Sequence, residues 1–285
     1  MREKFPVFDL HCDTAAELSL QKKSWAQNDL HVDLDRAGRL LTHHQFYAFC
    51  CVYDRSGLPL PGPLAEARFY GAVSDFYTQL EQNRERAKLC RNVEDLIAAA
   101  QEHKQGVFLS LEGPEAIGCD PERLEELKEL GILIDVSHLS EKAFWDLIRI
   151  TTAPIVASHS NCRAVCQHTR NLTDMQLKAI CNLGGLVGLN LYAPFLNESG
   201  RADFSDVRRH VDHLLELGCE HHIALGGDLD GCDALPTGFS GVESYNDLGR
   251  YLMRTGLDEL TVNNVFNNNA VRFSMQHLQK KRVGG

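Results

Sequence analysis

The sequence predicts an α/β protein built as a TIM-like (β/α)8 barrel. Short apolar runs alternate with helical patterns along the whole chain. These runs lack polar alternation, as expected of parallel strands covered on both faces. Residues of metal-ligand type stand at the C-terminal ends of several runs, and a closed barrel gathers such ends on one face where an open sheet spreads them along a line.

The predicted strands are Val7–Leu10, Phe46–Tyr53, Val107–Leu111, Ile132–Val136, Pro154–Ala157, Leu186–Leu191 and Ile223–Leu225. That is one strand short of a complete (β/α)8 barrel. Between them, Phe69, Val73, Phe76 and Leu80 share one helical face. Asp120-Pro121 reads as an N-cap with proline at the first helical position, ahead of Leu124, Leu127 and Leu130. Ser140 caps a helix carrying Phe144, Leu147 and Ile148. Thr173 caps one with Met175, Leu177 and Ile180, closed by Gly184-Gly185. Ser205 opens one with Val207, Val211, Leu214 and Leu215, closed by Gly218. Helices over Tyr245–Arg254 and Leu257–Gln279 end the chain.

The 285 residues fit one barrel, which typically takes ~250 residues. No low-complexity stretch, charge block or Pro/Gly/Ser linker divides them, so residues 1–285 read as a single domain. Hydrophobic residues at 44% and charged residues at 24% fit a soluble globular protein. A net charge of -10 repels phosphates and argues against nucleic-acid partners. No apolar run approaches the ~20 residues of a membrane span. The opening MREKFPVFDLHCDT lacks the pattern of a signal peptide, and the closing KKRVGG lacks the hydrophobic tail of a lipid-anchor signal. With ten cysteines and no secretion signal, reduced thiols and a cytoplasmic location are expected.

The chemistry sits at the strand ends. The first ends in His11-Cys12-Asp13, the third in Ser110-Leu111-Glu112, the next in Asp135-Val136-Ser137-His138. The next ends in Ser158-His159-Ser160 and the last in Gly226-Gly227-Asp228-Leu229-Asp230. Positions i and i+2 of a strand point the same way, so His11 and Asp13 form a chelating pair while Cys12 points away. Imidazole and carboxylate suit zinc-like divalent ions, and cobalt or manganese fit the same ligands. With thirteen histidines in the chain, any single one at a strand end is as readily a half-buried side chain bonded to backbone. Five ligand-type residues gathered at strand ends favour a metal site. His43, His44, His221 and His222 read as surface or capping residues. Asp9 reads as a buried group supporting a ligand or capping the strand. No GxGxxG, P-loop or GxSxG motif is present.

The segments DLHCDT, SLEGPEAIG, LIDVSHLSE, APIVASHSNCRAVCQHTRN and ALGGDLDG, in that order, resemble the signature segments of the membrane (renal) dipeptidase family of zinc peptidases. VFNNNAVRF is similar to that family's closing segment, and the likeness runs from about residue 5 to about residue 275. The resemblance implies a (β/α)8 barrel, two zinc ions per chain, a dipeptide substrate and a homodimer. His11 and Asp13 would hold one ion, His138 and His159 the other, and Glu112 both. Arg170 matches the family's arginine for the substrate's terminal carboxylate. Asp228 matches its catalytic acidic residue.

One departure is large. Between Glu112 and Ile132 the family carries a further βα unit of roughly 30 residues, which this chain lacks. The proposed ligands survive this loss. A barrel opened there exposes strand edges that a second chain would cover. The residues also leave open another amidohydrolase-like reaction, on a lactone or cyclic amide, or a metal-binding homologue with impaired catalysis.

Overall fold

The computed structural model describes residues 3–50, 58–112 and 133–278. Eight strands are found there: β1 (Pro6–Cys12), β2 (Thr42–Cys50), β3 (Ala87–Leu89), β4 (Gln105–Glu112), β5 (Ile134–Asp135), β6 (Ile155–Ala157), β7 (Leu186–Leu189) and β8 (Ile223–Leu225). They form one sheet in the order β3-β4-β2-β1-β8-β7-β6-β5, and the paired neighbours run parallel. The helices between them are α1 (Thr14–Gln21), α2 (Leu34–Ala37), α3 (Gly62–Gln82), α4 (Val93–Gln101), α5 (Glu141–Ile150), α6 (Asp174–Asn182), α7 (Ala193–Leu196) and α8 (Phe204–Glu216). α9 (Tyr245–Arg254), α10 (Glu259–Asn263), a π-helical turn at Asn264–Asn268 and α11 (Asn269–His277) follow β8.

The sheet is curled into a barrel. Glu112 ends β4 and His138 follows β5, six strand positions away, a span of about 29 Å in a flat sheet at ~4.8 Å per strand. Their side chains lie 2.7 Å apart. The concave face is lined from strand to strand by Phe8, Phe46, Phe108, Val156, Leu186 and Ala224, with Ala270 and Phe273 of α11 packed against them. The rings of Phe46 and Phe108 stack with centroids 4.7 Å apart, and Phe8 lies 5.3 Å from Phe108. Burying each such side chain stabilises the fold by roughly 1.5–3 kcal/mol. The convex face meets the helices in a second, larger core that includes Val7, Phe49, Val187, Leu189 and Ile223.

The strand missing from the sequence reading is β3, which is only three residues long. It pairs with the first half of β4, Ala87 opposite Gln105 and Leu89 opposite Val107. It therefore occupies the side of β4 away from β2, and β4 and β5 are not neighbours in the sheet. The predicted helix at Asp120-Pro121 and the residues Cys51–Tyr53 and Ile132 of two predicted strands lie outside the described residues.

Local signals act mostly as read. Ser140 caps α5 through the Ala143 N–H, and Thr173 forms a reciprocal capping box with Gln176 on α6. For α8 the cap is Asp203, not Ser205: its carboxylate accepts the Ser205 N–H while Asp206 reaches back to the Asp203 N–H. The larger correction concerns His43 and His44, which are buried, 5% and 4% exposed, at the start of β2. His44 lies against Phe8 and its Nδ1 accepts the Gly106 N–H at 3.0 Å. His43 Nε2 meets Gln45 Oε1 at 3.2 Å, on the face where Tyr47 receives bonds from Gln105 and Trp25. A strand start inside a barrel wall has covered faces, so polar residues there are buried, and most of their polar atoms find partners, His43 Nδ1 and Gln105 Oε1 excepted. Of the other pair, His221 is exposed and half-buried His222 bonds the Gly185 carbonyl.

Candidate functional site

The predicted ligands sit on the C-terminal ends of strands that the barrel brings together. His11 and Asp13 come from β1, and a backbone irregularity sets their direction. Asp9 pairs with Gln45 and Cys12 with Tyr47, so Leu10 and His11 together oppose Phe46. This extra residue is a bulge, and it reverses the alternation. Phe8 and Leu10 face the barrel interior, and His11 and Asp13 face the same way beyond the bulge. Cys12 turns into the outer core.

His11 Nε2 lies 3.4 Å from Asp13 Oδ2, 3.2 Å from Glu112 Oε2 and 3.9 Å from Asp228 Oδ1. On the other side of Glu112, its Oε1 lies 2.7 Å from His138 Nε2, which is 2.8 Å from His159 Nε2. The rings of His11 and His159 are tilted by 35° with centroids 3.8 Å apart. Two groups of donors each fit one cation: His11, Glu112 and His159, and His11, Asp13 and Asp228, with donor atoms in each group within 4.8 Å of one another. His138 joins through Glu112 and His159. Glu112 touches both sides.

The donor set fits divalent cations on an observation of its own. His11 Nε2 and Glu112 Oε2 are buried without a hydrogen-bond partner, although both face the centre of this cluster. Buried polar atoms without partners are rare in native proteins. Nitrogen and carboxylate donors converging this way are those zinc-like ions take.

The electrostatics are strained. Burial pushes the Asp13 carboxyl up to about 7, offset only in part by His11. Burial also works against Glu112, but His11 and His138 beside it hold its carboxyl well below the usual range. Burial and the neighbouring His11 drive His159 well below the ordinary imidazole value. Burial opposes charge on His11 too, yet Glu112 and Asp13 raise it well above that value.

Asp228 stands in the loop after β8 with φ 55, a left-handed conformation unusual for a non-glycine residue. Its N–H donates to the His11 carbonyl, and its Oδ2 accepts Asn190 Nδ2 at 2.8 Å. That leaves Oδ1 towards His11. A Cβ at Gly231 would come within 2.1 Å of Asp13 Oδ2 and 2.4 Å of Asp228 Oδ1, so the loop passes too close for any side chain. Asp230 braces the loop from behind, accepting from Thr14 and from the His31 N–H.

Arg170 reaches the cluster from the loop before α6. Its guanidinium donates to the Ser137 carbonyl, comes within 3.1 Å of His138 Nε2 and lies over the Phe195 ring. Asp9 touches no ring of the cluster. Its carboxylate accepts the His11 N–H, the Gly227 N–H and the Tyr245 hydroxyl, so it ties β1, the β8 loop and α9 together. All seven predicted site residues thus fall in one place. Sequence reading missed Asn190, at the end of β7, and Ser158 with Asp135. A polar residue closing an apolar run was the available signal for Asn190.

The sequence profile of the membrane dipeptidase family (peptidase family M19) matches residues 1–132 and, separately, 122–282. The two matched stretches overlap at residues 122–132. An uncharacterised protein from the pqqA 5′ region of Klebsiella pneumoniae is 39% identical over 164 residues, 56% of this chain and 60% of that protein. An uncharacterised dipeptidase of Schizosaccharomyces pombe, C965.12, is 34% identical over 125 residues, 43% of this chain and 30% of that protein. The chain spans 60% or less of the length of these curated relatives. Among solved structures, a metallopeptidase from Rhodobacter sphaeroides, bound to a phosphinate mimic of the dipeptide L-Ala-D-Ala, superposes with TM-score 0.86 at 26% identity, covering 97% of this chain and 100% of that one. Dipeptidase AC, a metallopeptidase of family M19, gives 0.86 at 28% identity, covering 97% and 99%. No helix among the described residues is long and apolar enough to cross a membrane.

Proposed function

The chain belongs to the membrane dipeptidase family (peptidase family M19), and from that premise we propose that it is a binuclear zinc dipeptidase acting on dipeptides with a free C-terminal carboxylate. The observation that carries the reading is the convergence of His11, Asp13, Glu112, His138 and His159, with His11 Nε2 and Glu112 Oε2 buried and unpartnered among them. In this reading His11 and Asp13 hold one ion, His138 and His159 the other, and Glu112 both. Zinc ions held by these residues would supply Lewis acidity, towards a water and towards the scissile carbonyl.

The chain's own residues do the rest. Asp228 takes the proton of the attacking water and delivers it to the departing amine. Asn190 holds one oxygen of Asp228 and so aims the other at the cluster. Arg170 presents a planar fork to the substrate's terminal carboxylate. Its guanidinium lies beside His138, at the edge of the cluster. The phosphinate dipeptide mimic bound by the Rhodobacter sphaeroides relative supports the substrate class. A second copy of the chain is the proposed partner, covering the side of β4 beyond Leu89, which no described strand pairs.

The test is hydrolysis of a panel of dipeptides by the zinc-loaded protein, followed by amine release, with and without a chelator. Chelator-sensitive cleavage of dipeptides but not of N-acyl tripeptides or lactones is expected. A protein that holds zinc and cleaves none of the panel overturns the assignment in favour of a non-catalytic homologue.

A further inference from the structure

Two predicted ligands, His11 and His159, share a neighbour on the side of each ring away from the cluster. Ser158 Oγ lies 2.7 Å from His159 Nδ1 and 3.4 Å from His11 Nδ1. We propose that Ser158, held by Asp135, is a positioning residue that fixes the tautomer of both rings so that their Nε2 lone pairs face the metal centre. This rests on the metal-centre reading above.

The argument is a count of protons. A serine hydroxyl has one proton and two lone pairs, and a carboxylate has none to give. Asp135 is surrounded by donors. Oδ1 accepts the Ser137 N–H at 2.9 Å, the Ser137 hydroxyl at 2.7 Å and the Ser158 N–H at 3.1 Å, and Oδ2 accepts the Ser158 hydroxyl. Ser137 has spent its proton on Asp135, so it does not compete at 3.4 Å from Ser158 Oγ. The Ser158 hydroxyl, having donated to Asp135, can only accept from imidazoles. His159 must then carry its proton on Nδ1, and His11 does the same over the longer contact. A neutral imidazole protonated at Nδ1 has its lone pair at Nε2. Those are the atoms aimed at Glu112 and His138. One hydroxyl thus serves a ligand of each predicted ion, and a cation taking the place of a proton at the buried His11 Nε2 would meet its lone pair.

The backbone is built to hold Ser158 in place. Val156 lines the barrel interior, and two residues on Ser158 points the same way. The Ser158 carbonyl lies where a Cβ on Gly188 or Gly226 would come within 1.9 or 1.7 Å. Glycine at both positions lets β7 and the end of β8 close against it. Residues behind a metal ligand that fix its ring orientation typically matter 10–100-fold in metal affinity.

The test uses the full chain, freed of metal, with 15N-labelled histidine. Imidazole NMR above pH 8 is expected to show His159 as the Nδ1–H tautomer in the wild type. In Ser158→Ala that signal should move towards Nε2–H, and zinc affinity by chelator competition should fall about 10- to 100-fold. Asp135→Asn, which frees the hydroxyl proton to turn towards the rings, should move both readouts in the same direction by less. A purely structural serine would lower thermal stability without moving the tautomer. Nε2–H on His159 in the wild type, or an unchanged tautomer and zinc affinity in Ser158→Ala, overturns the proposal. Should Ser158→Ala fail to fold, the wild-type tautomer still decides. A wild type that binds no zinc defeats the metal-centre reading instead, and the tautomer remains a separate measurement.

Discussion

The two ends of the barrel both bury histidines and treat them in opposite ways. At the N-terminal end, His44 accepts a backbone N–H and His43 meets a glutamine amide. Burial lowers His43 to about 3 and His44 to about 4, so both are neutral, and although His43 Nδ1 is also left without a partner, no carboxylate faces it. At the C-terminal end, His11 and His138 face carboxylates, and buried donor atoms are left without partners. Burial does not separate the two ends, because His11 and His159 are 3% and 2% exposed and His43 and His44 are hardly different. What separates them is the neighbour. A buried histidine satisfied by neutral groups supports the fold, and one aimed at carboxylates and at other imidazoles awaits a cation.

Substitutions at each end sharpen this contrast. Glu112→Gln keeps the shape of the cluster but removes the charge shared by both predicted ions. It is expected to lower kcat/KM by about a thousand-fold, or ~4 kcal/mol, with thermal unfolding of the metal-free protein little changed. His44→Ala should do the reverse, costing about 1–3 kcal/mol of stability by orphaning the Gly106 N–H while the folded fraction keeps its turnover. Equal loss of activity in the two would erase the distinction. Next in size is Arg170→Ala. Losing a charged hydrogen bond worth roughly 1.5–3 kcal/mol should raise KM for dipeptides about 10- to 100-fold and leave kcat nearly alone.

A last contrast lies in pH. His43, His44 and His210 are all lowered by burial, to about 3, 4 and 4. His210 uses both nitrogens, one against the Cys162 N–H and one against the Leu196 carbonyl, which fixes it neutral. Below the unfolded value of about 6.5 the unfolded chain binds protons that the folded chain refuses. Stability should therefore be full above about pH 6.5 and fall as pH drops towards 4, by up to ~1.4 kcal/mol per pH unit for each group. Denaturant melts at pH 7 and pH 5.5 measure it, and His44→Gln should flatten the slope. A slope unchanged in that variant would mean the N-terminal histidines are not buried neutral as described.

Most of the site was legible because its residues obey local rules. The i, i+2 spacing of His11 and Asp13 and the ligand types closing apolar runs are visible one segment at a time. The rest depends on contacts far apart in sequence. The bulge at Leu10–His11 sets which way the chelating pair points, and it appears only when β1 is aligned with β2. β3 is three residues with a lysine in the middle, too short for any periodic signal. His43 and His44 look like surface residues until the barrel wall closes around them. Asn190 and Ser158 are neutral, and their importance comes from what they touch, Asp228 in one case and two imidazoles in the other.

The central claim is that five residues from four strand ends grip a pair of cations, and zinc stoichiometry tests it most directly. Metal-free protein titrated with zinc should take up two equivalents per chain, and Glu112→Gln should weaken both binding events together. Uptake of no zinc, or two tight equivalents untouched by that substitution, would contradict the account.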